Sequence, residues 1–245
     1  MPEGPSIVIL KEAVSHLQLE GRPVLAVEGN TSIEKERLIQ QEIQEFRSWG
    51  KHFLLCFKGF TLRVHFLLFG TYRINERKQN QARLSLQFEN AEINFYTCSL
   101  KFIEGDIDTI YDWSADVMSN QWDEDVALQK LKVIPETLVC DALLDQNIFA
   151  GVGNIIKNEV LYRIRIHPLS KVGALPNEKL KELVREARVY SFDFLQWKKD
   201  FVLKKHWLAH TKKICLRCNL PIYKEYLGKT NRRTFYCTNC QKVYA

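Results

Sequence analysis

The stretch CLRCNLPIYKEYLGKTNRRTFYCTNC, residues 215–240, decides how the C-terminal part of the chain folds. It contains two Cys-x-x-Cys pairs separated by eighteen residues. Each pair turns tightly enough to bring two thiolates to one ion, and two such pairs complete the tetrahedron of a closed zinc site. The sequence therefore predicts a structural zinc ribbon at 210–245. Its ligands would be Cys215, Cys218, Cys237 and Cys240.

Other interpretations of this segment stay open. Two redox-active CxxC motifs would need a strand and helix context that the sequence does not suggest. His206 and His210 lie one helical turn apart and could ligate a metal, although four cysteines already satisfy zinc. Between the cysteine pairs, basic and aromatic residues interleave over 226–236 and predict a β-hairpin. That hairpin either holds an arginine rigidly against an anion or simply packs on its neighbours.

The charge of the chain is unevenly distributed. The whole chain carries a formal net charge of +6. Residues 196–245 contain twelve Lys and Arg against only Asp200 and Glu225, a net charge of +10, so the remainder carries −4. A basic segment favours a polyanionic partner, because each neutralised phosphate releases condensed counterions. A solvated lysine-rich face is the simpler alternative.

Length and composition exclude several classes of protein. At 245 residues with 46% hydrophobic content, the chain can bury one large core or two modest ones. It has no run of about 18 apolar residues and no secretory type of N-terminus, so we expect a cytoplasmic protein without a membrane segment. Cys56, Cys98 and Cys140 stand singly in apolar stretches, which is typical of reduced core thiols. We expect a monomer.

The hydrophobic period changes twice along the chain. Apolar residues at spacings of three and four predict an amphipathic helix over residues 7–17, and the period is helical again beyond 123. Between 24 and 96, short alternating segments separated by turn residues predict antiparallel strands. The predicted strands are 52–57, 61–66, 82–88 and 92–96. The later predicted helices are 126–133, 136–144, 155–164 and 178–197, and 198–214 is predicted to be a short basic helix or strand.

These patterns predict an α+β chain of two domains. A strand-rich domain with an N-terminal helix would occupy 1–120, and a helical domain 121–245. Within the latter, Leu144–Ile156 joins two helices through Gly151 and Gly153, with Asn154 predicted as the N-cap. Glycines and a helix N-terminus offer amides to a phosphate, although many helix pairs turn through glycine for no such reason.

The chain begins Met-Pro-Glu-Gly-Pro-Ser. Methionine before proline is normally removed, which would leave Pro2 with a free secondary amine beside the carboxyl group of Glu3. An ordinary α-amino group titrates near pH 8, so a neutral, nucleophilic fraction exists at physiological pH. Attack by this amine on an aldehyde-level carbon would give an iminium ion, which acts as an electron sink.

Four motifs occur in one order: the Pro-Glu-Gly-Pro start, Gly50-Lys51, the turn ending at Asn154, and the paired cysteines. Together they resemble the formamidopyrimidine-DNA glycosylase and endonuclease VIII family over essentially the whole chain, and its endonuclease VIII-like branch more closely. The resemblance implies an N-terminal antiparallel β-sandwich flanked by helices. It also implies a helix-two-turn-helix element and a zinc β-hairpin, with damaged double-stranded DNA in the cleft between the domains.

The resemblance also implies roles for single residues. Pro2 matches the nucleophile that attacks the sugar C1′, and Glu3 the acid that helps to open the sugar ring. Lys51 and Asn154 match residues that contact phosphates, and Arg232 the zinc-finger arginine, although the adjacent Arg233 leaves that register open. After base flipping, void-filling side chains are implied in the segment His65–Gly70; the alternative is an apolar strand end in the core. The implied void-filling residues are Leu67, Leu68 and Phe69.

The implied activity is excision of an oxidised base followed by β,δ-elimination at the abasic site. Family members that favour 8-oxoguanine carry a capping loop where this chain has 198–214, a segment without glycine or proline, so we expect oxidised pyrimidines as substrates. Ser6 stands where the family motif has a second glutamate, and this favours the main alternative, a DNA-binding zinc protein with weakened catalysis. An RNA-binding or scaffolding zinc protein would explain the basic segment but not the Pro-Glu start.

Overall fold

The structure is a computed structural model that describes residues 2–245. The chain divides into two compact units, of which the first ends at Tyr111 and the second spans Asp112–Ala245. The sequence placed this boundary at 120/121 because residues 112–120 have no regular period. Val117 is buried in the core of the second unit and its amide donates to Ala150, so the segment belongs to that unit. The expected removal of Met1 concerns a residue outside the described range.

The first unit opens with helix α1, Gly4–Ser15. Pro5 lies in its first turn, where the missing amide costs no intrahelical hydrogen bond. Ile7, Leu10 and Val14 are buried on one face, as their spacing predicts. The N-terminal helix is therefore confirmed.

Six strands of the first unit form one antiparallel sheet in the order β1-β5-β6-β4-β3-β2. The four predicted strands correspond to β3, β4, β5 and β6, but β4 and β6 continue well beyond the predicted ends. The strands are β1 Ala26–Glu28, β2 Glu45–Trp49, β3 His52–Phe57, β4 Phe60–Ile74, β5 Leu84–Gln87 and β6 Glu92–Glu104.

The two long strands, β4 and β6, run through both halves of this sheet. The first part of β4 pairs with β3, and the first part of β6 pairs with β5. Between these parts the β4·β6 register shifts, from Phe66 to Thr71. Side chains from both halves share one buried core, which covers the inner face of α1 as well. This layered, antiparallel arrangement is the one expected from the sequence.

The second unit is mainly helical and carries a small hairpin. A buried core joins its helices, while the two strands β7 and β8 pair antiparallel as a separate sheet. The elements are α2 Glu124–Lys132, α3 Val139–Ala142, α4 Asn154–Arg163, α5 Asn177–Lys199, β7 Tyr223–Leu227 and β8 Arg232–Tyr236. Within residues 2–245, no helix combines the length and apolar character that crossing a membrane requires.

Two predicted elements differ from the structure. The helix predicted at 136–144 contracts to α3, because Leu138 pairs with Lys171 and the Thr137 carbonyl accepts the amide of Val172, which keeps 137–138 extended. The segment 198–214 is neither one helix nor a strand. It contains the end of α5, a turn and a short 3-10 helix, Leu203–His206.

The last residues of the second unit are joined to the loop that follows α4. The amide of Lys242 donates to the Arg165 carbonyl, and the Lys242 carbonyl accepts the amide of His167. Lys171 donates its amide to the Tyr244 carbonyl in the same way, at 2.8 Å. The segment 242–244 thus completes the backbone pairing of a loop about 75 residues earlier in the chain.

Candidate active site and nucleic-acid interface

Glu3 is the N-cap residue of α1, directly after Pro2. Its backbone is extended, with φ −118° and ψ 172°, and its carbonyl accepts the Ser6 amide at 2.8 Å. The Glu3 side chain is wholly buried, whereas Pro2 is partly exposed. The fold therefore holds a carboxyl group out of water immediately beside the residue proposed as nucleophile.

Ser6 lies in the first turn of the same helix. Its Oγ is buried and has no hydrogen-bond partner among residues 2–245. A longer acidic side chain at this position would have reached further than a serine hydroxyl does. The departure from the family motif therefore replaces a carboxylate by a shorter, neutral hydroxyl, within an otherwise ordinary helix start.

Lys51 occupies a tight turn between β2 and β3. Trp49 and His52 are the closing pair of this hairpin, so the loop contains only Gly50 and Lys51. Gly50 has φ +52°, a conformation that glycine adopts without strain and that suits two-residue hairpin turns. The turn is the reason that glycine precedes this lysine.

A cluster of aromatic and basic side chains surrounds this turn, and it was not predicted from the sequence. The His52 Nδ1 lies 3.1 Å from the Tyr111 hydroxyl, and the His52 ring meets the edge of His65. Burial lowers the pKa of His52 to about 3, and the nearby charges of Arg63, His65 and Lys51 act in the same direction. The pKa of His65 is lowered by burial too. His52 is therefore a neutral imidazole at physiological pH.

Register could have revealed the histidine pair in advance. His52 and His65 are directly opposite each other in the β3·β4 hairpin, whose turn is Lys58-Gly59. A turn at these two residues fixes every opposite pair of the hairpin. The contact with Tyr111 had no such signal, because that residue follows all six strands.

Leu67, Leu68 and Phe69 lie where the register of β4 and β6 shifts. All three are exposed, and Phe69 has 79% of its surface in contact with solvent. The alternative of an apolar strand end in the core is therefore wrong. Gly70 follows because a Cβ there would meet the Phe66 side chain and the Thr97 carbonyl at 2.7 Å.

The four predicted metal ligands come together. The sulfur atoms of Cys215, Cys218, Cys237 and Cys240 all lie within 4.8 Å of one another. Burial acts to raise the pKa of Cys215, but a hydrogen bond from the Tyr162 hydroxyl and nearby amides lower it to about 6. Burial and the other three thiols raise the pKa of Cys240 to about 12. Four thiols this close can all ionise only around a cation, so the donor set fits a tetrahedral metal ion.

The two histidines that were considered as further ligands have other partners. His206 stacks on Trp197, with ring centroids 4.2 Å apart. The Nδ1 of the buried His210 lies 3.0 Å from the Asn158 amide nitrogen. Among the described residues, the group of side chains that could hold a metal ion therefore consists of cysteines alone.

Helix α4 and strand β8 are joined by polar side chains. Asn154 is the first residue of α4 and not its N-cap, which is Gly153. The Asn154 Nδ2 instead donates to the Arg233 carbonyl at 2.8 Å. One turn further on, the buried Lys157 donates from Nζ to the Thr234 hydroxyl at 2.7 Å. Asn154 and Lys157, at the start of α4, therefore form hydrogen bonds to the strand that carries both candidate arginines.

The tip of the β7·β8 hairpin is held by Asp141 of α3. Its carboxylate accepts the amides of Lys229 and Thr230, at 2.9 and 3.1 Å, and the Thr230 hydroxyl at 3.0 Å. Gly228, with φ +73°, passes so close that any Cβ would overlap this carboxylate. The hairpin is therefore fixed at its tip as well as along β8.

Arg232 and Arg233 are both exposed but differ in their surroundings. The guanidinium of Arg233 lies 5.7 Å from the Phe235 ring centre, and its carbonyl is taken by Asn154. Arg232 is next to the fixed tip, opposite Leu227. The structure brings Asn154 and these arginines together, and leaves the register between the arginines as a prediction.

Gln146 shapes the loop before α4. Its Nε2 donates to the carbonyls of Leu144 and Val152, and its Oε1 accepts the Gly151 amide at 3.1 Å. Gly151 has φ +98°, so the turn requires glycine there. One side chain thus closes the loop that delivers the N-terminus of α4.

Two family models match this chain. The formamidopyrimidine-DNA glycosylase N-terminal domain matches residues 1–103, and the formamidopyrimidine-DNA glycosylase H2TH domain matches residues 114–190. The solved Lactococcus lactis formamidopyrimidine-DNA glycosylase, in non-covalent complex with DNA containing an AP site, superposes with a TM-score of 0.86 at 21% identity, over 98% of this chain and 99% of that chain. At that identity the likeness concerns the fold, which is that of the DNA glycosylases with this two-part architecture.

Two relatives that are similar in sequence identify the family to which the chain belongs. Endonuclease 8-like 2 of Homo sapiens is 30% identical over 256 residues, which cover 98% of this chain and 75% of the relative. Endonuclease 8-like 3 of Xenopus laevis is 31% identical over 206 residues, or 79% of this chain and 33% of that protein. The chain spans only about a third of the length of the latter relative. It belongs to the family of formamidopyrimidine-DNA glycosylases and endonuclease 8-like proteins.

Proposed function

We propose that this protein excises oxidised bases from double-stranded DNA and cleaves the strand at the resulting abasic site, with the amine of Pro2 as nucleophile. Family membership supports the reaction class. The observation that carries the proposal is the wholly buried carboxyl group of Glu3 directly after Pro2, at the head of α1. Such a pair supplies a nucleophile and a proton donor within one dipeptide.

The chemistry follows from these two groups. The Pro2 nitrogen forms a bond to C1′ while the glycosidic bond breaks, so the base leaves with the electron pair and takes up the proton that the amine nitrogen loses. Glu3 then protonates the ring oxygen as its bond to C1′ breaks, which leaves an iminium ion. Loss of a C2′ proton expels the 3′ phosphate, and loss of a C4′ proton expels the 5′ phosphate. Water finally hydrolyses the iminium and frees Pro2.

Pro2→Gly tests this assignment. The variant should lose most strand cleavage but keep its affinity for DNA, because it removes the secondary amine and none of the phosphate contacts. Borohydride should trap the parent, with its methionine removed, on DNA containing an abasic site, and the adduct should map by mass to residue 2. Pro5→Ala is the matched control, since it removes a proline from the same segment without touching the amine. Unchanged trapping by Pro2→Gly would refute the proposal.

If the parent forms no borohydride-trapped adduct, the result favours the alternative, a DNA-binding protein with weakened catalysis. The buried Oγ of Ser6, which stands in place of an acidic group, is the observation that favours it. In that case the parent should still bind duplex DNA with a strong salt dependence. The two functions are thus separated by one assay on one protein.

We further propose how the chain contacts DNA. Lys51 and Arg232 would neutralise phosphates, and the exposed Leu67, Leu68 and Phe69 would fill the space left by a flipped nucleotide. Asn154 has two donor hydrogens on Nδ2, and the bond to Arg233 uses one of them. The other would serve a phosphate oxygen. The four cysteines would hold a structural Zn²⁺ that fixes the hairpin.

Oxidised pyrimidines are the substrates that we propose. The segment between α5 and Cys215 is short, and the buried Glu159 carboxylate accepts the amides of Leu208, Ala209 and His210 at 2.6–2.9 Å. A segment pinned in this way does not act as a mobile lid over a large purine. Single-turnover excision of thymine glycol should therefore exceed that of 8-oxoguanine paired with cytosine, on matched duplexes. Equal rates would contradict the substrate proposal and leave the glycosylase assignment intact.

A further inference from the structure

The C-terminus of α5 ends in a turn that glycine normally supplies. The amide of Val202 donates to the Trp197 carbonyl, and the amide of Phe201 to the Lys198 carbonyl. These are the two hydrogen bonds of a Schellman motif, whose left-handed position is most often glycine. Here that position is Phe201, with φ +60°.

A phenylalanine in this place has no structural justification within the second unit. The left-handed conformation strains a residue that carries a Cβ, and glycine would avoid that strain. The ring offers no compensation, because 95% of the surface of Phe201 is exposed, the highest value among the large hydrophobic residues. A strained backbone that displays an aromatic ring to solvent points to a contact made outside the chain.

The surroundings of the ring are basic and rigid. Exposed lysines flank it on both sides, and the carboxylate of Asp200 accepts two hydrogen bonds from the Gln196 Nε2, at 3.0 and 3.1 Å. Trp197 stacks on His206 beneath the turn, which ties the end of α5 to the 3-10 helix. The flanking lysines are Lys198, Lys199, Lys204 and Lys205.

We propose that this turn is a binding site for single-stranded nucleic acid, in which one unpaired base stacks on Phe201 and the lysines neutralise the adjoining phosphates. Cationic side chains around an exposed aromatic ring are the two elements by which proteins bind single strands without reading their sequence. The proposal rests on the function proposed above and adds a site that needs no damaged base.

Three substitutions of Phe201 test the site by fluorescence anisotropy with a lesion-free oligothymidylate. F201G and F201L should raise the Kd at least about fivefold, and F201W should leave it within about twofold, because the base needs a ring face. F201L keeps the strain and the apolar bulk, so it isolates the ring. A smaller effect of F201L on the Kd would overturn the proposal.

The thermal stability of F201G is a second measurement. Binding should become weaker in this variant, whereas its stability should not fall. F201G should leave the Tm unchanged or raise it, since glycine relieves the left-handed strain. A fall in Tm would show that the ring packs on the protein, and would overturn the argument from exposure. K204A and K205A should each reduce the salt slope of oligothymidylate binding by about 0.7, the value for one phosphate of a single strand. An unchanged slope in both would contradict the phosphate contacts.

A membrane surface is the other partner that lysines and an aromatic ring would suit. If the parent binds phosphatidylglycerol vesicles and F201G does not, while both bind oligothymidylate equally, the proposal is wrong. Borohydride trapping on abasic DNA keeps this test separate from the proposed enzyme activity. F201G should still form the adduct at Pro2, and a parent that binds through Phe201 but never traps would refute the enzyme proposal alone.

Discussion

Substitution of His52 by glutamine should make the first unit less sensitive to acid. His52 is held neutral beside Tyr111, with burial as the main cause of its pKa of about 3. In the unfolded chain its pKa returns to about 6.5. The unfolded state therefore binds a proton first as the pH falls, so the stability is fully present above pH 6.5 and is lost between that value and pH 3.

The magnitude follows from the distance between these two pKa values. At pH 5 the unfolded imidazole is protonated, roughly 1.5 pH units below its ordinary pKa, while the folded one is still neutral. Each unit corresponds to about 1.4 kcal/mol, so acidification from pH 7.5 to 5 should cost about 2 kcal/mol through His52. His52→Gln removes this contribution, whatever the loss of packing does to the stability at pH 7.5.

Urea denaturation at pH 7.5 and pH 5.0, followed by circular dichroism, measures the difference. The parent should lose about 2 kcal/mol more of its free energy of unfolding than His52→Gln does over this interval. His16→Gln, which removes an exposed histidine at the end of α1, is the control. If the parent and His52→Gln lose the same free energy of unfolding, His52 is not a buried neutral group and the prediction is wrong.

Two further predictions concern the second unit. Cys218→Ala should release the metal and disorder the hairpin, because structural zinc contributes directly to folding; metal analysis should find one zinc in the parent and in Cys56→Ala, and an equal content in Cys218→Ala would count against the site. Asp141→Ala removes three hydrogen bonds, each worth about 1 kcal/mol net, so the hairpin-tip amides should exchange with solvent on the order of 100-fold faster. Asp125→Ala, at an exposed position, should leave that exchange unchanged, and protection that persists in Asp141→Ala would exclude the clamp.

Local patterns in the sequence predicted those elements whose cause is local. The spacing of Ile7, Leu10 and Val14 was sufficient to predict α1, and the cysteine spacing was sufficient to predict that the four cysteines cluster. The continuation of β4 escaped prediction because the apolar run 67–69 breaks the alternation on which strand prediction depends. A helix or strand with a regular alternation of apolar and polar residues can be predicted from the sequence, and so can a short motif. The continuation of a strand through residues that break the alternation cannot.

The contacts that position side chains were less predictable, because they join distant parts of the chain. His52 and Tyr111 are 59 residues apart, and Asp141 and Lys229 are 88 apart. Neither pair has a periodic signal. The exact cap of α4 was wrong for a related reason: the side chain of Asn154 bonds a strand 79 residues later instead of its own helix.

The pairing of 242–244 with the loop after α4 sets an order for folding during synthesis. The sheet of the first unit is complete with β6, at Glu104, and can close while the rest of the chain is still being made. The loop at His167 cannot form this pairing until Lys242 has been synthesised. Lys242 is about 75 residues later in the chain, which takes roughly 4–15 s at the usual rate of translation. During that interval its backbone groups are open to other strands. Slow translation of the hairpin should therefore favour aggregation of the nascent chain, and rapid completion should protect it.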